Sequence, residues 1–484
     1  MTALAAGLLD GLRKIAGERF VMSRDVELLA YESDGLPGYH RRPSVAVFPG
    51  SRDETIAIVR LLAETRTPFV PRGAGTGLSG GALADGVVLL GLHRLKSIMD
   101  MDIARMRATV EPGVVNAVLN KRLAPHGAFY APDPSSEAAC TIGGNIAENS
   151  GGPHCLKYGV TLNHILAATV ILPNGEIVEL GDRDGVMNGY DLLGAFVGSE
   201  GCFGVALDIT VRLTRKPAAV RTALADFMSV ADAASATSAI IASGVVPAAL
   251  EFMDSGTIRV VEASIFAAGY PVDAAAILLV EVDGSNDSVD AEMAIVRDLC
   301  AQSGARAVRV AENEAERARL WQGRKKAFGA MGRLAPNLAV QDAVIPRTRL
   351  TGVLAQIHAI ADEHGVTVCN VFHAGDGNLH PNISYDASDA DQARRVHEAM
   401  SAMMLVCVAA GGSITGEHGV GLDKLPYMPV LFDEPTLAAM CDLRSAFDPD
   451  RRANPGKVVP VHSCREWLAA PSLRSPGATG QHAG

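Results

Sequence analysis

The sequence predicts an α+β protein with more than one domain. Its 484 residues are enough for about three domain-sized units. Strand-like and helical patterns alternate up to Lys216-Pro217, where a long apolar strand ends. Beyond about residue 218, long helices alternate with apolar strands, a rhythm that fits an α+β domain with an antiparallel sheet. We therefore expect a first domain at 1–216 and a second at 217–446.

Apolar patterning places the individual elements in order along the chain. In the first domain it predicts a strand at 44–49, a helix at 55–64, a hairpin at 167–180 that turns at Asn174-Gly175, and a strand at 205–213. In the second domain it predicts helices at 231–243, 311–330 and 350–364, and strands at 248–253 and 275–282. The N-terminal segment carries Asp10 and Arg13 inside its apolar part, which indicates an amphipathic helix and not a signal peptide.

Composition limits the kind of protein this chain can be. Hydrophobic residues make up 48% of it but aromatic residues only 5%, so the core must consist mainly of Ala, Val, Leu and Ile. The net charge of −11 argues against nucleic acid or an anionic membrane surface as partners. No apolar stretch is long enough for a membrane span. Eight scattered cysteines without a C-x-x-C pair indicate reduced thiols and a cytoplasmic protein.

A glycine-rich loop at Pro71–Gly81 carries the first functional signal, because glycines let backbone N–H groups converge on an anion. Residues 75–80 also match the G-x-G-x-x-G pattern of dinucleotide-binding folds, but that pattern needs a helix immediately afterwards. The Asp85-Gly86 turn and the apolar run Val87–Leu90 indicate a strand instead. We therefore expect a loop between two strands that holds a diphosphate, the alternative being a flexible linker.

Three further clusters of glycine and small polar residues suggest one extended ligand. They are Pro132–Thr161, Val197–Val205 and Asn454–Lys457. Each cluster alone is a weak signal. Together with Pro71–Gly81 they suggest that several loops surround one cofactor and bind it through backbone groups and small side chains.

Two histidines in the segment His373–His380, with Glu417 and His418 further on, indicate a metal site. We expect Asp376-Gly377 to form a two-residue turn that places His373 and His380 directly opposite each other, with Cβ atoms about 5 Å apart. Two imidazoles at that distance can share a divalent ion, and Glu417 would add an oxygen ligand. His418 would stand beside the ion as a base. The alternative is a polar hairpin that happens to carry two histidines.

In their order along the chain, these motifs resemble the FAD-linked oxidase family related to vanillyl-alcohol oxidase. Within it, the chain resembles the branch of D-lactate dehydrogenase, D-2-hydroxyglutarate dehydrogenase and the D-type flavoprotein of glycolate oxidase, and the last of these most, through Ala147–Thr161 and Leu320–Pro336. The resemblance implies a two-subdomain FAD-binding domain, an α+β cap domain with an antiparallel sheet, and a segment at 447–464 that returns to the flavin domain. Residues 465–484 are expected to be a disordered tail.

The resemblance implies FAD as the cofactor, held by the glycine-rich loops. The residues implied are Arg72, Gly73, Ala74, Gly75, Thr76, Gly77, Ser79, Gly80, Pro134, Ser135, Thr141, Gly144, Asn145, Ser150, Glu200, Gly201, Val205 and Asn454. Covalent members of the broader family carry a histidine shortly after the Arg-Gly of the phosphate loop. Thr76 stands in that place here and cannot form the bond, so we expect FAD to be bound non-covalently.

The reaction implied is oxidation of a D-2-hydroxy acid to the 2-oxo acid, with hydride transfer to flavin N5. His418 is expected to take the hydroxyl proton, because an unperturbed imidazole titrates near about pH 6.5. The resemblance and the spacing together suggest that His373, His380 and Glu417 hold zinc or manganese, which would polarise the hydroxyl.

Other residues are expected to recognise the substrate. The resemblance assigns Arg324 to the substrate carboxylate, which suits its bidentate guanidinium; the alternative is a solvated face beside Lys325-Lys326. Asn382 follows His380 by two residues and would share its face of a strand. Relatives that act on longer dicarboxylates or lactate often carry a lysine on the strand before the Ile345-Pro346 position, and here that strand holds Gln341-Asp342 and no cation. The absence of that cation favours a small monocarboxylate, glycolate or D-lactate.

The resemblance also implies partners. Relatives among glycolate oxidases work with a second flavin-fold subunit and an iron–sulfur subunit, so we expect the same partners here, attachment at the inner membrane through them, and a homodimer as a further candidate assembly. The competing hypothesis is a non-catalytic or electron-passing flavoprotein subunit of a multi-subunit glycolate oxidase complex. The joint presence of His373, His380, Glu417 and His418 argues against it, since a degenerate subunit should have lost some of them.

Overall fold

The structure is a computed structural model that describes residues 7–36, 38–186 and 189–458. The expected tail at 465–484 and residues 459–464 of the expected returning segment lie outside the described residues. The chain forms two compact units: unit 1 comprises 7–151, 159–216 and 417–458, and unit 2 comprises 152–158 and 217–416. These units differ from the domains expected from the sequence at 152–158 and at 417–446.

The elements predicted from patterning are present, although the predicted helix at 311–330 is divided into two. The strands are β1 Val21–Met22, β2 Val45–Val47, β3 Phe69–Arg72, β4 Val88–Gly91, β5 Ile98–Asp102, β6 Arg107–Val110, β7 Ala128–Phe129, β8 Ile165–Ile171, β9 Ile177–Gly181, β10 Val205–Arg212, β11 Thr214–Arg215, β12 Ala219–Phe227, β13 Ala249–Asp254, β14 Ala276–Gly284, β15 Ala305–Val310, β16 Asn337–Val340, β17 Ala343–Val344, β18 Val368–His373, β19 Asn378–Leu379 and β20 Pro381–Tyr385. The α-helices are α1 Leu8–Ala16, α2 Asp25–Leu28, α3 Arg52–Glu64, α4 Asn116–Leu123, α5 Ile142–Glu148, α6 Cys155–Tyr158, α7 Leu192–Phe196, α8 Val230–Ala242, α9 Ser255–Glu262, α10 Asn286–Gln302, α11 Glu314–Lys325, α12 Ala327–Met331, α13 Leu350–Glu363, α14 Ala390–Ala409, α15 Met428–Leu431 and α16 Glu434–Phe447.

Unit 1 contains two main sheets. The first has the strand order β1-β2-β4-β3, in which β2, β4 and β3 run parallel. The second has the order β5-β6-β10-β8-β9 and is antiparallel. Its β8–β9 hairpin turns through Gly175, whose φ of 88° lies in the region that favours glycine. This is the hairpin that the sequence predicted.

Helices α1 and α3 pack on the first sheet through apolar residues at helical spacing. Leu8 and Leu12 of α1, and Ile58 and Leu62 of α3, are all fully buried in the same core. Burying one such side chain contributes about 1.5–3 kcal/mol to the free energy of unfolding. Ser51 starts α3 by accepting a hydrogen bond from the Glu54 N–H at 3.2 Å. The core therefore fixes the sheet from which the glycine-rich loop emerges.

Unit 2 is built on an antiparallel sheet of order β15-β12-β14-β13-β18-β19-β17, with β20 paired to β18 and β16. This confirms the predicted α+β fold with an antiparallel sheet. Strands β13 and β14 are buried almost throughout, as their apolar runs require. Both strands also carry acidic residues, among them Glu251 and Glu281, and a buried carboxylate needs partners.

Segment 152–158 joins unit 2 because it supplies partners to β14. Lys157 Nζ donates to the carbonyl of Asp283 at 2.5 Å, and the Tyr158 hydroxyl donates to the same residue's carboxylate at 2.5 Å. His154 lies 3.5 Å from Glu281 and stacks on Trp321 with 5.6 Å between ring centroids. These polar contacts explain why the segment departs from the first domain in which we expected it.

Among the described residues, none of the helices is both long enough and apolar enough to cross a membrane. The seven cysteines that the structure describes are free thiols. Burial raises the pKa of the Cys202 and Cys369 thiols to about 12, so both stay protonated and poorly reactive at neutral pH.

Candidate active site

The glycine-rich loop connects two parallel strands directly. β3 ends at Arg72 and β4 begins at Val88, and residues 73–87, all of them described, contain neither helix nor strand. The dinucleotide-binding alternative requires a helix immediately after the glycines, so it is excluded. Gly73 leaves no room for a side chain, because a Cβ there would lie 2.4 Å from Oγ1 of Thr141. The predicted loop between two strands is confirmed.

Buried hydroxyl groups in these loops fit a polar cofactor. All the residues predicted to bind FAD belong to unit 1. The hydroxyls of Ser79 and Ser199 are buried and make no hydrogen bond to any described residue. Leaving a buried hydroxyl unsatisfied costs about 1–3 kcal/mol, which a polar ligand would offset. Thr141 caps α5 by accepting from the Gly144 N–H at 3.2 Å, so this helix begins at the loop that Gly73 approaches.

A cavity of about 280 Å³ opens where the parallel strands of the first sheet end. It is lined by Ala30, Tyr31, Phe48, Arg72, Gly73, Ala74, Leu89, Gly91 and His93. Ligands of parallel sheets commonly bind at the carboxyl ends of the strands. Burial lowers the pKa of both Arg72 and His93. Arg72 nevertheless provides a cation beside glycine N–H groups, an arrangement suited to an anionic group such as a phosphate.

Two of the predicted cofactor residues use their side chains to hold loops of unit 1 together. Asn454 donates from Nδ2 to the carbonyl oxygens of Gly81 at 2.9 Å and Glu200 at 2.5 Å. The Glu200 carboxylate accepts from the N–H groups of Val420 at 2.7 Å and Gly421 at 2.8 Å. The structure therefore gives both side chains protein partners, and their contact with FAD stays a prediction.

In unit 2 a buried carboxylate joins two of the predicted site residues. Glu251 on β13 lies opposite His373 on β18, and its Oε1 is 2.8 Å from His373 Nδ1. Its Oε2 accepts from Arg324 Nε at 2.6 Å. Burial opposes ionisation of Glu251, but Arg324 and His373 outweigh it and hold the pKa of this carboxyl below its ordinary value. Glu251 was not among the predicted site residues, although a lone charge inside the apolar run A-A-L-E-F-M was the available signal.

Arg324 on α11 is 1% exposed, so the alternative that it belongs to a solvated face is wrong. Its neighbours Lys325 and Lys326 are exposed, as that alternative expected of all three. A buried guanidinium needs a countercharge, which Glu251 supplies. Because a guanidinium has five N–H donors, this pair does not exhaust its hydrogen-bonding capacity. Binding of a substrate carboxylate by Arg324 stays a prediction.

The hairpin that carries the two histidines has a register different from the one predicted. His373 pairs with Asn378 and not with His380, so the loop spans 374–377 and not Asp376-Gly377 alone. The predicted direct opposition of the two histidines is therefore wrong. The pairing has shifted by two residues, and a shift of two keeps both side chains on the same face of the sheet.

Neighbouring segments explain the longer loop. The N–H of Gly375 donates to the Leu250 carbonyl at 3.1 Å, and the Gly377 carbonyl accepts from the Ile345 N–H at 3.0 Å. These backbone groups are bound to other parts of unit 2, so they do not close a two-residue turn. The competition comes from residues distant in the sequence, which local turn preferences do not capture.

The two histidines nevertheless lie together. Their ring centroids are 5.3 Å apart, and a ring nitrogen of His373 lies within 4.8 Å of one of His380. His373 Nδ1 is held by Glu251, and His380 Nδ1 lies 3.2 Å from the carbonyl oxygen of Gln341. Metal-binding histidines are commonly oriented by such a bond at one ring nitrogen while the other binds the ion. The arrangement can therefore supply two imidazole ligands.

Asp342 anchors the chain immediately before Glu417 and His418. It is fully buried, accepts from the Thr415 hydroxyl at 2.6 Å and the Gly416 N–H at 3.0 Å, and lies 3.9 Å from Nδ1 of His380. Glu417 and His418 follow Gly416 directly in the chain. Nε2 of His418 is 3.8 Å from Oε1 of Glu417, and both side chains are 13% exposed.

Asn382 is fully buried on β20, opposite Cys369. Its Nδ2 donates to the carbonyl oxygens of His380 at 2.6 Å and Cys369 at 3.2 Å. Its Oδ1 is buried and makes no hydrogen bond to any described residue. The backbone therefore fixes the amide, and only Oδ1 remains for the predicted contact with substrate.

Glycine-rich loops suited to the polar parts of an extended cofactor, together with a cluster of buried histidines and carboxylates, fit the class of flavin-dependent oxidoreductases. Solved structures share its fold. The structure of p-cresol methylhydroxylase with substrate bound has a TM-score of 0.81 at 15% identity, and 4-ethylphenol oxidase from Gulosibacter chungangensis has 0.79 at 18%. Each comparison covers 94% of this chain and 97% of the other. The predicted fold is confirmed.

The chain belongs to the family of FAD-linked oxidases. The family model "FAD binding domain" matches residues 43–181, and "FAD linked oxidases, C-terminal domain" matches residues 216–458. Glycolate oxidase subunit GlcD of Escherichia coli (strain K12) is 45% identical over 464 residues, which cover 96% of this chain and 93% of that protein. GlcD of Bacillus subtilis (strain 168) is 39% identical, with 93% and 96% covered, and D-lactate dehydrogenase of Anaerostipes hadrus is 30% identical, with 93% and 97% covered. The predicted family is confirmed, and FAD is the cofactor it implies.

Proposed function

We propose that this protein oxidises a small D-2-hydroxy acid, glycolate or D-lactate, to the 2-oxo acid. The observation that carries the proposal is the bridge from His373 through Glu251 to Arg324. One buried carboxylate orients a residue suited to bind a metal and a residue suited to bind a carboxylate. A 2-hydroxy acid presents to such a pair the two groups that they would recognise, a hydroxyl and a carboxylate.

The loops of unit 1 hold FAD in this proposal, without a covalent bond. Arg72, the glycines of Pro71–Gly81 and the buried hydroxyls of Ser79 and Ser199 would contact its polar parts. Bound FAD would accept the hydride from C2 of the substrate. Thr76 stands where covalent relatives carry a histidine, and its hydroxyl does not form that linkage.

His373, His380 and Glu417 form the proposed site for zinc or manganese. The first two lie on one face of the sheet, and Glu417 directly follows Gly416, which Asp342 holds through its N–H. Mixed nitrogen and oxygen ligands suit either metal. A divalent ion there would lower the pKa of the substrate hydroxyl and orient it.

His418 is the proposed proton acceptor, and Arg324 and Asn382 orient the substrate. The imidazole of His418 is partly exposed, which a base that exchanges protons with solvent requires. Arg324 would bind the carboxylate through guanidinium donors other than those facing Glu251. Asn382 would use Oδ1, because the backbone holds its Nδ2.

The proposed substrate carries one carboxylate. Gln341 and Asp342 are buried at the break between β16 and β17, and Asp342 lies 3.9 Å from His380. A second carboxylate near His380 would meet this negative charge without a compensating cation from that strand. Repulsion in a buried, poorly screened region disfavours a 2-hydroxy dicarboxylate.

The assembly is also a proposal. Two relatives are named as subunits of glycolate oxidase, so we infer that this chain works beside a second flavin-fold subunit and an iron–sulfur subunit, which attach it to the inner membrane. A homodimer is the alternative assembly. A cytoplasmic location is inferred from the scattered cysteines, which lack the pairing of a disulfide framework.

Anaerobic addition of 2-hydroxy acids to the purified protein tests the function. Glycolate or D-lactate should bleach the visible flavin band, while L-lactate and D-2-hydroxyglutarate should bleach it far more slowly. Arg324→Lys should raise the concentration needed for half-maximal bleaching, because lysine lacks the bidentate fork. If no small D-2-hydroxy acid reduces a fully loaded flavin, the alternative of a non-catalytic subunit gains support and the proposal fails.

A further inference from the structure

The segment that follows His418 is held through its backbone N–H groups by other residues of unit 1. The N–H groups of Val420 and Gly421 both donate to the Glu200 carboxylate, at 2.7 and 2.8 Å. Hydrogen bonds from backbone N–H groups to a carboxylate are charge-assisted and stronger than neutral ones. Val420 lies two residues after His418, so this carboxylate fixes the path of the chain close to the proposed base.

A second anchor holds the next two residues. The carbonyl oxygen of Ser79 accepts from the N–H groups of Leu422 at 2.8 Å and Asp423 at 3.1 Å. Ser79 belongs to the glycine-rich loop, so residues 420–423 are tied both to that loop and to Glu200. Four consecutive N–H groups are therefore used in fixing this short irregular segment.

The packing around Glu200 leaves room only for a glycine at position 419. A Cβ on Gly419 would lie 2.6 Å from Oε2 of Glu148 and 2.6 Å from Oε1 of Glu200. Gly419 also has a φ of 84°, which disfavours other residues. Two buried carboxyl groups therefore enclose the backbone directly after His418.

The two carboxyl groups differ in their surroundings and in their hydrogen bonds. Burial raises the pKa of Glu148 well above its ordinary value, and repulsion from Glu200 and Asp34 adds to that rise. Burial also raises the pKa of Glu200, to about 7, while the two N–H donors and the ammonium groups of Lys424 and Lys457 favour its anion. Glu200 accepts the N–H groups of Val420 and Gly421 and is therefore the partner that holds the segment.

We propose that Glu200 is a positioning residue for His418: its carboxylate fixes the backbone at 419–421 and thereby sets where the imidazole stands. This deepens the proposed function and rests on His418 being the proton acceptor. Glu200 was predicted from the sequence to bind FAD. Its side chain accepts from the segment that carries the proposed base, and its contact with FAD stays a prediction.

The test compares Glu200→Gln with Glu148→Gln, two substitutions of equal size in the same pocket. Gln at 200 keeps one acceptor oxygen but turns an NH₂ group towards a second N–H, so one anchor is lost. We expect the flavin-reduction rate at saturating substrate, per bound FAD, to fall between about 10-fold and 10²-fold, with KM within about twofold, because misplaced reacting groups lower the rate of the chemical step. Glu148→Gln leaves the hydrogen bonds from Val420 and Gly421 to Glu200 in place and should keep both values close to wild type.

Hydrogen exchange measures the anchor independently of catalysis. In Glu200→Gln the amides of residues 418–423 should exchange faster, while the amides in the rest of unit 1 exchange as in wild type. Unchanged exchange, or an equal effect from Glu148→Gln, overturns the proposal. If exchange rises but the rate does not fall, Glu200 holds the segment without positioning a catalytic residue, and the proposal is also wrong.

The two hypotheses fail in different ways. If His418→Asn reduces flavin at the wild-type rate, the proposed base is wrong whatever Glu200→Gln does. If Glu200→Gln gives no folded flavoprotein, Gly419→Ala tests the same contact from the other side, since its methyl group meets both carboxyl groups. Gly419→Ala should then reproduce the loss of rate with unchanged KM, and a wild-type rate would overturn the proposal.

Discussion

Glu251 and His373 face each other across neighbouring strands and are joined by a contact of 2.8 Å between Oε1 and Nδ1. Both are almost completely buried. The other carboxylate oxygen pairs with Arg324, so a single anion fixes the orientation of an imidazole and a guanidinium. Because Glu251 is buried and contacts both His373 and Arg324, we expect its removal to weaken metal binding and to destabilise the fold.

Glu251→Gln should lower metal affinity by about 10–100-fold, the usual effect of losing a group that orients a metal-binding histidine. It should also destabilise the fold by about 3–5 kcal/mol, because Arg324 would remain buried without a countercharge. Metal titration and urea unfolding measure the two effects. Asp254→Asn, at the end of the same strand, should cost stability by weakening its cap on Thr257 but leave metal affinity unchanged. Equal metal affinity in both variants would contradict the assigned role of Glu251.

Glu417→Gln should lose metal while keeping FAD. The substitution preserves side-chain volume but replaces the anionic oxygen by a neutral one, which divalent ions bind more weakly. We expect at least about a tenfold loss of metal affinity, with part of the activity restored by added Zn²⁺ or Mn²⁺. Metal analysis beside activity assays provides the measurement. A wild-type protein that holds no metal and keeps its full rate with chelators would exclude the site.

His418→Asn should slow flavin reduction by about 10²–10⁴-fold, the usual contribution of a positioned base. Its metal and FAD contents should match those of wild type, because neither assignment includes His418 as a ligand. Raising the pH should restore part of the rate, since solvent hydroxide can take the substrate proton. Stopped-flow bleaching of the flavin measures the rate. A variant that reduces flavin as fast as wild type would show that His418 is not the proton acceptor.

Acid precipitation should release the whole yellow colour into the supernatant. Thr76 cannot form the covalent bond that a histidine makes in some relatives. A yellow pellet after washing would show a covalent flavin. Thr76→His is not expected to create the linkage unless the flavin methyl group lies within reach of residue 76.

The stability of unit 2 should depend on Glu281 in acid. Burial opposes its ionisation, but hydrogen bonds from His154, Arg317 and Thr222 outweigh burial and lower its pKa to about 2. The unfolded value is about 4.3, so the carboxylate contributes stability above that pH, and the contribution is lost as pH falls towards about 2. The size of this contribution to the free energy of unfolding is on the order of 3 kcal/mol. In wild type the urea concentration at half-unfolding should rise as the pH increases between these two values, and Glu281→Gln should make that rise smaller. An unchanged rise in the variant would show that other groups cause it.

Much of the fold follows from local patterning, whereas the site depends on distant partners. The strands β13 and β14 are evident from apolar runs, and the absence of a helix after Pro71–Gly81 follows from the Asp85-Gly86 turn. Glu251 was not predicted, because its partners Arg324 and His373 lie 73 and 122 residues away in the chain. A charged residue in a buried strand is a visible anomaly, but the sequence alone does not identify what neutralises it.

The histidine hairpin shows the same limit. The Asp376-Gly377 dipeptide favours a tight turn, yet backbone groups of Leu250 and Ile345 bind the two glycines of the loop and lengthen it. The side-chain period of two was sufficient to place both histidines on one face, which is why they lie together although the predicted register was wrong. Glu417 and His418 were recognised as a pair, but the role of Asp342 in holding Gly416 was not.

Segment 152–158 has a consequence for how this molecule can be divided. A recombinant fragment spanning 217–416 would contain the whole sheet of unit 2 but would lack Lys157 and His154, leaving Asp283 and Glu281 buried without two of their partners. Such a fragment should be poorly soluble when produced alone and should recover when a peptide covering 150–160 is supplied. Because residues 152–158 belong to unit 2 but lie within the sequence of unit 1, unit 2 is not encoded by one continuous stretch of the gene. A chimaera that receives unit 2 of this protein should therefore also receive residues 152–158.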